Sequence, residues 1–225
     1  MGKLAVVGFI VLTLVLAEVI SVLQLGSSLK NNPHYWLLRS LQAGELTYVA
    51  LGDSAAQGIG ASRPQNGYVG IIADRLAAKT GKTIRVVNLS VSGAKIQDVI
   101  DKQIPQLKQY RPDFVTIEVG ANDVVAFNAQ TFREHFNILA PQLPANTVVA
   151  NMPNFGGRIS RVQAVNSANA IVASAAATYH LRVADLYTAT KSRDTPLNYA
   201  ADFFHPSNRG YKNWANAFWA VLNSS

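Results

Sequence analysis

Short runs rich in β-branched residues alternate with longer segments of helical periodicity, and this alternation constrains the fold more than any other feature. The runs are "LTYVALG", "TIRVVNLS", "DFVTIEVG", "NTVVANMP" and "LRVADLY". Between them, apolar residues recur at helical spacing, as in Ile96, Val99, Ile100, Ile104 and Leu107, and in Tyr211, Trp214, Ala215, Phe218 and Leu222. Such alternation is typical of βαβ units. The sequence therefore predicts an α/β fold with three α/β/α layers around a flavodoxin-like, five-stranded parallel sheet.

The length of the chain favours one catalytic unit rather than several domains. With 225 residues, 49% of them hydrophobic, the chain can bury one good-sized core. The strand pattern begins at Leu46, so residues 46–225 are predicted to form a single domain. Residues 29–45 are interpreted as a linker or a short lead-in helix.

The first segment of the chain differs in kind from the rest. An apolar run extends from Leu4 to Leu25 and is interrupted only by Thr13, Glu18, Ser21 and Gln24. About 22 helical residues reach ~33 Å, roughly the thickness of the hydrocarbon core of a bilayer. The run fits an uncleaved membrane anchor, and its charge-free part also fits a cleaved signal peptide that ends at Gly26-Ser27-Ser28. Residues 1–28 thus predict export, with the protein either anchored by this segment in the membrane of the cell envelope or secreted.

Composition narrows the chemistry that the chain can perform. The absence of cysteine excludes disulfides, thiolate metal sites and cysteine nucleophiles. Four widely spaced histidines leave little material for a metal site, and we expect neither a metal nor a cofactor. The net charge is +7, but no run of five basic residues appears, so nucleic acid is not a predicted partner.

The segments that follow the predicted strands carry the chemistry-bearing residues. They read "GDSAAQG", "SVSGAK", "GANDVV", "NMPNFGGR" and, some way after the last strand, "ADFFHPSNRGY". The first three each place Ser, Asn or Asp beside Gly. In open parallel sheets, ligands bind beyond the carboxyl ends of the strands. These segments therefore predict one shared site at that edge.

Ser54 is the candidate nucleophile, and it needs a base. His34 lies near the N-terminal segment, His135 lies in the middle of a predicted helix, and His180 ends one. His205 is the better candidate because Asp202 precedes it by three residues. A carboxylate at that spacing can hold Nδ1 and leave Nε2 to take the serine proton. By itself, the Asp202–His205 pair is equally compatible with a helix-capping Asp that has a histidine nearby.

The order of these segments resembles the SGNH hydrolases, the GDSL esterase–lipase superfamily. "GDSAAQG", the glycine of "VSGAK", "GAND" and "DFFH" match its signature blocks, over a stretch from about Thr47 to the C-terminus. Ala55 stands where the name-giving motif has Leu, a variable position. The resemblance implies a nucleophile and two triad partners, Ser54, Asp202 and His205, and three oxyanion donors, the Ser54 amide, Gly93 and Asn122.

Two other nucleotide-binding or hydrolase motifs do not fit these residues, and some of the residues also have a structural interpretation. A dinucleotide-binding G-x-G-x-x-G would need glycine at position 63, where Arg63 stands. A G-x-S-x-G elbow would need glycine at position 56, where Ala56 stands. Gly93 can be an ordinary turn glycine, "ND" at 122–123 an Asx turn, and Asp53 is interpreted as structural. A non-catalytic, envelope-anchored binding module on the same fold remains an alternative.

The resemblance implies a serine esterase or lipase that acts on a small-molecule, lipid or glycan acyl ester. An esterase for acyl groups of modest length is the leading interpretation, and an O-deacetylase of an envelope glycan is the alternative. Aromatic and glycine residues near the predicted site can line an acyl pocket or belong to the core: Phe155, Gly156, Gly157, Phe203 and Phe204.

Overall fold

The computed structural model describes residues 3–155 and 162–224. Residues 1–2, 156–161 and 225 lie outside this description, as do several side chains in the first helix. Gly156 and Gly157, for which the sequence leaves both an acyl-pocket role and a core role open, therefore lie outside the described residues.

A parallel sheet forms the centre of the molecule. Its strands are β1 (Leu46–Gly52), β2 (Ile84–Asn88), β3 (Phe114–Glu118), β4 (Thr147–Ala150) and β5 (Arg182–Ala184). Their order is β2-β1-β3-β4-β5, and each neighbouring pair is parallel. The predicted three-layer α/β fold is confirmed. The strand order reverses at β1, which places the carboxyl ends of β1 and β3 at the switch point where such sheets bind ligands.

Helices cover both faces of the sheet. They are α1 (Lys3–Ser40), α2 (Tyr68–Thr80), α3 (Ile96–Asp98), α4 (Ile104–Leu107), α5 (Ala121–Val125), α6 (Ala129–Leu139), α7 (Val162–Thr178), α8 (Leu186–Lys191) and α9 (Asn208–Leu222). A π-helical turn, Val99–Gln103, joins α3 to α4, and 3₁₀ turns occupy Pro64–Asn66, Ala140–Gln142 and Pro196–Asn198.

Side chains alternate along each strand, which divides the core into two halves. From β1, Val49 and Leu51 pack with α3, α6 and α7 on one face of the sheet. Tyr48 and Ala50 pack with α2, α9 and the end of α1 on the other face. The apolar stripe predicted for the last helix is fully buried on that second side: Tyr211, Trp214, Ala215, Phe218 and Leu222.

The second half of α1 is bound to the body of the protein. Asn32 and Trp36 are both 3% exposed, and Ser28 is 5% exposed. The Ser28 hydroxyl accepts the Gly60 N–H at 3.2 Å, so the helix contacts the loop that follows β1. The predicted lead-in segment 29–45 therefore contains the last turns of a helix that packs on this loop and on β2.

The first half of α1 has a different environment. Large apolar side chains there are exposed, among them Phe9 at 64% and Ile20 at 61%. Within the described residues, none of the helices combines the length and the apolarity that a membrane span needs.

Candidate active site

Strand β1 ends in a close approach to β3 that only glycine permits. Gly52 pairs with Glu118 and has φ +138°. A Cβ at Gly52 would lie 2.0 Å from the Glu118 carbonyl oxygen, a severe clash. The chain leaves the sheet at this point, so Asp53 and Ser54 lie directly beyond the strand end.

The turn that presents Ser54 is fixed by local hydrogen bonds. The Asp53 Oδ1 accepts the Ala55 N–H at 3.0 Å, and the Ser54 carbonyl accepts the Ile59 N–H at 3.0 Å. The Gln57 amide donates to the Ser90 carbonyl at 2.8 Å, which ties the turn to the loop after β2. Ser54 is only 6% exposed, so its side chain is largely shielded from solvent.

His205 and Asp202 reach Ser54 from the loop that precedes α9. The His205 Nε2 lies 2.9 Å from Ser54 Oγ, and His205 Nδ1 lies 2.6 Å from Asp202 Oδ2. Asp202 Oδ1 also accepts the N–H groups of Phe204 and His205, each at 3.0 Å. The three side chains thus form one continuous hydrogen-bond chain, the arrangement that allows a histidine to take a proton from a serine.

The charge of Asp202 is favoured by its contacts. Partial burial by itself raises the pKa of the Asp202 carboxyl, but the bonds from the His205 ring and from two backbone N–H groups outweigh it, and the net direction is down. An ionised Asp202 accepts the Nδ1–H of His205 and so fixes the tautomer in which Nε2 is free to accept.

Gly93 lies in the loop after β2, with φ +81°. Open space surrounds the position where a Cβ would stand. Among the described residues, neither the Gly93 N–H nor the Ser54 N–H has an acceptor. Both N–H groups are therefore available to a ligand.

Asn122 lies in the first turn of α5, after Gly120 with φ +118°. Its Nδ2 donates to Asp53 Oδ2 at 3.1 Å and to the Ala94 carbonyl at 3.0 Å. Both amide hydrogens thus have protein partners in this structure. A role as oxyanion donor requires that one hydrogen be shared with, or released to, the substrate oxygen.

Glu118 is a residue of the site that the sequence reasoning missed. It ends β3 and is fully buried, and its carboxyl acts on the pKa of Asp53, the residue that precedes Ser54. A glutamate inside the apolar run "FVTIEVG" was the signal that could have indicated it, because an acid in a buried strand needs a partner.

Gln103 was missed as well. Its side-chain amide bonds both the N–H and the carbonyl of Gly52, at 2.9 and 2.8 Å, and so supports the strand end.

An aromatic wall stands beside the histidine. The rings of Phe155 and Phe204 are stacked, with centroids 5.8 Å apart, and the Phe204 ring meets the His205 ring edge-on. Phe155 and Phe204 line a small cavity together with Tyr199 and Trp214. Phe203, by contrast, is 47% exposed.

The other histidines do not join the Ser54 hydrogen-bond chain. His34 and His180 are exposed, and His135 lies on α6. Within residues 3–155 and 162–224, no group of three His, Cys, Asp or Glu side chains is placed to hold a metal ion.

Comparisons with known proteins give consistent results. A model of the GDSL-like lipase/acylhydrolase family matches residues 50–212. The esterase TesA of Pseudomonas aeruginosa is 34% identical over 87 residues, which is 39% of this chain and 42% of the length of that relative.

Solved structures show the same fold. A crystal structure of TesA aligns with a TM-score of 0.69 and 20% identity over 79% of this chain and 98% of the other. A variant of Axe2, an acetyl xylan esterase from Geobacillus stearothermophilus, aligns with a TM-score of 0.64 and 19% identity over 80% and 95%. At these identities the likeness concerns the fold.

Proposed function

Because the chain belongs to the GDSL-like lipase/acylhydrolase family of SGNH hydrolases, we propose that it is a serine hydrolase that cleaves acyl esters through an acyl-enzyme intermediate. The observation that carries the proposal is the hydrogen-bond chain in which Ser54 Oγ lies 2.9 Å from His205 Nε2 and His205 Nδ1 lies 2.6 Å from Asp202 Oδ2. Nucleophile, base and orienting acid are the parts that this chemistry requires.

In the first half of the proposed reaction, Ser54 Oγ attacks the ester carbonyl carbon while its proton passes to His205 Nε2. The carbonyl π pair moves to the oxygen and forms a tetrahedral oxyanion. When that pair returns, the bond to the alkoxy oxygen breaks, and the leaving alcohol takes the proton from Nε2. The product of this half is an acyl ester on Ser54.

In the second half, water replaces the alcohol. Its proton passes to His205 Nε2 as its oxygen attacks the acyl carbon, and collapse of the second tetrahedral species returns that proton to Ser54 Oγ. The carboxylic acid leaves and the enzyme is restored. Asp202 stays ionised throughout and stabilises the imidazolium, a role that agrees with its lowered pKa.

The oxyanion needs hydrogen-bond donors aimed at one point. The N–H groups of Ser54 and Gly93 lack acceptors among the described residues, which supports them as two such donors. The Asn122 amide is the proposed third donor and must share one hydrogen that now bonds Asp53 or Ala94. Donors of this kind contribute about 3 kcal/mol each to stabilising the transition state.

Esters with acyl groups of modest length are the proposed substrates. The stacked rings of Phe155 and Phe204 support this choice, because they place an apolar wall beside the base. Acetylated glycans are the alternative substrate class, because one protein of the same fold is an acetyl xylan esterase.

The proposal is tested with a fluorophosphonate probe and a panel of p-nitrophenyl esters of graded chain length, assayed beside acetylated glycans. We expect labelling at Ser54, loss of labelling and turnover in Ser54→Ala, and no change in Ser224→Ala, an exposed serine at the end of the chain. Unchanged ester hydrolysis by Ser54→Ala would contradict the proposal. The panel then decides between short acyl esters and glycan acetates.

Export is a further part of the proposal, with the protein either held at the cell envelope by its first segment or released. The charge-poor run Leu4–Leu25 supports it, as do the exposed apolar side chains of α1 such as Phe9 and Leu23. Cell fractionation and the intact mass of the recovered protein test it. A protein found only in the cytosolic fraction with its first residues retained would contradict export.

A further inference from the structure

The buried carboxyl of Glu118 lacks the hydrogen-bond donors that would stabilise a negative charge. Its side chain is fully buried at the end of β3. In the part of the chain that the structure describes, neither of its carboxyl oxygens accepts a hydrogen from a donor group. An ionised carboxylate in such a place would have lost its hydration without any compensating bond.

Asp53 is the partner of Glu118. Asp53 is 2% exposed, and its carboxyl lies close enough to that of Glu118 for each to shift the pKa of the other. Two ionised carboxylates have only acceptors and repel each other, so a bond between this buried pair requires a proton on one of them. Asp53 already accepts two hydrogens, from the Ala55 N–H and from Asn122 Nδ2, whereas Glu118 accepts none. The proton therefore belongs on Glu118 and the negative charge on Asp53.

We propose that Glu118 is held as a neutral carboxylic acid, that it donates its O–H to the Asp53 carboxylate, and that through this bond it is a positioning residue for the Asn122 amide. The inference rests on the proposed function, in which Asn122 serves the oxyanion. Glu118 touches no substrate atom in this scheme. It fixes the Asp53 carboxyl, and Asp53 Oδ2 in turn holds Asn122 Nδ2 at 3.1 Å.

The surroundings favour a single shared proton. Titratable groups that interact with the pair come from several elements: Tyr68 on α2, Asp123 on α5, His205 on the last loop and Tyr211 on α9, while Tyr48 on β1 interacts with Tyr68. Burial raises the pKa of all three tyrosines, so they are neutral at ordinary pH. Burial likewise raises the pKa of Glu118 well above its usual range and that of Asp53 to about 6.

Kinetics of two variants test the positioning role. Glu118→Gln keeps an N–H donor toward Asp53 in nearly the same shape, so we expect kcat within about 3-fold of the native enzyme. Glu118→Leu removes the donor, and we expect kcat to fall about 10- to 100-fold with KM nearly unchanged, because the Asn122 amide loses its fixed position. Equal losses in both variants would overturn the role.

Infrared spectroscopy tests the protonation state without using activity. At pH 7 the native protein is expected to show the carbonyl stretching band of a protonated carboxylic acid, shifted in D₂O and absent from Glu118→Gln. No such difference between the two proteins would overturn the inference. Native protein without esterase activity but with the band would instead contradict only the proposed function, so the two failures are distinguishable.

The pH dependence of stability gives an independent readout if Glu118→Leu fails to fold. A carboxyl whose pKa is raised in the folded state contributes stability that is lost as pH rises from its unfolded pKa to its folded pKa. Glu118→Gln has no such group. As pH rises above about 4.5, we therefore expect the free energy of unfolding of the native protein to fall relative to that of Glu118→Gln. A constant difference across that range would overturn the inference.

Discussion

The indole N–H of Trp36 donates a hydrogen bond to the carbonyl oxygen of Gln57 at 3.0 Å, and so joins α1 to the loop that carries Ser54. The Asn32 amide donates to the same carbonyl at 2.9 Å and to the Gly58 carbonyl at 3.1 Å. The end of α1 is therefore a support for the nucleophile loop, and the lead-in segment belongs to the functional unit.

Asn32→Ala is expected to destabilise the protein by about 1–3 kcal/mol, because it removes two buried hydrogen bonds, to the Gln57 and Gly58 carbonyls, and leaves these oxygens with only the Trp36 indole and the Ala61 N–H as donors. Urea denaturation measures this change. Asn31→Ala is the matched control: Asn31 is exposed, and the one side-chain bond that it makes among the described residues is to Ser27 in its own helix, so we expect an effect within about 0.5 kcal/mol. Equal effects of the two variants would mean that the α1 contact contributes nothing to stability.

Gly93→Ala is expected to lower kcat, because alanine is strained at φ +81° and the strain moves the N–H proposed to bind the oxyanion. Gly81→Ala provides the control. Gly81 also has a positive φ, +68°, and also faces open space, but it ends α2 on the surface. Both variants should lose about 1–2 kcal/mol of stability. Steady-state kinetics that show the same kcat for both would contradict the role of Gly93.

Asn122→Ala is expected to lower kcat about 10²- to 10³-fold with little change in KM, since an oxyanion donor acts mainly in the transition state. Thermal melting of the same sample separates this from unfolding. Asn122→Asp should lose both activity and stability, because a second carboxylate would face Asp53 Oδ2 and the Ala94 carbonyl. A folded Asn122→Ala enzyme with kcat within a few-fold of native would rule out the oxyanion role.

Asp202→Asn should leave more activity than His205→Ala, because it removes the orienting acid but keeps the base. It should also change the pH dependence of stability. A carboxyl whose pKa is lowered in the folded state contributes stability that is present above its unfolded pKa and lost as pH falls through the folded pKa.

The difference in free energy of unfolding between native protein and Asp202→Asn should therefore be largest near neutral pH and shrink below about pH 4. Denaturation curves recorded over this range check the trend. A difference that grows on acidification would mean that Asp202 is not stabilised in its charged form.

Much of the fold could be predicted because it depends on local patterns. The run "LTYVALG" forms β1 with these bounds, Leu46–Gly52, since β-branched and apolar residues suit a strand buried on both faces. The stripe that begins at Ile96 is helical and buried as expected, but it contains a π turn at Val99–Gln103. Periodicity did not predict that turn, because it depends on how the helix packs and on the bonds that Gln103 makes to Gly52.

Contacts between distant elements could not be predicted in the same way. That α1 would lie against the nucleophile loop depends on single side chains, Asn32 and Trp36, which carry no pattern of their own. The two protein partners of the Asn122 amide and the burial of Glu118 beside Asp53 likewise arise from packing of separate loops and strands.

The sequence by itself determined which side chains were available for catalysis and how neighbours along the chain are arranged. Asp202 and His205 are three residues apart, so one tight turn suffices to join them. Only the tertiary structure decided that His205 meets Ser54, 151 positions away, and that β1 lies between β2 and β3. The physical reason is that local conformation follows from backbone sterics and short-range hydrogen bonds, whereas the distance between two remote side chains is set by the packing of every element between them.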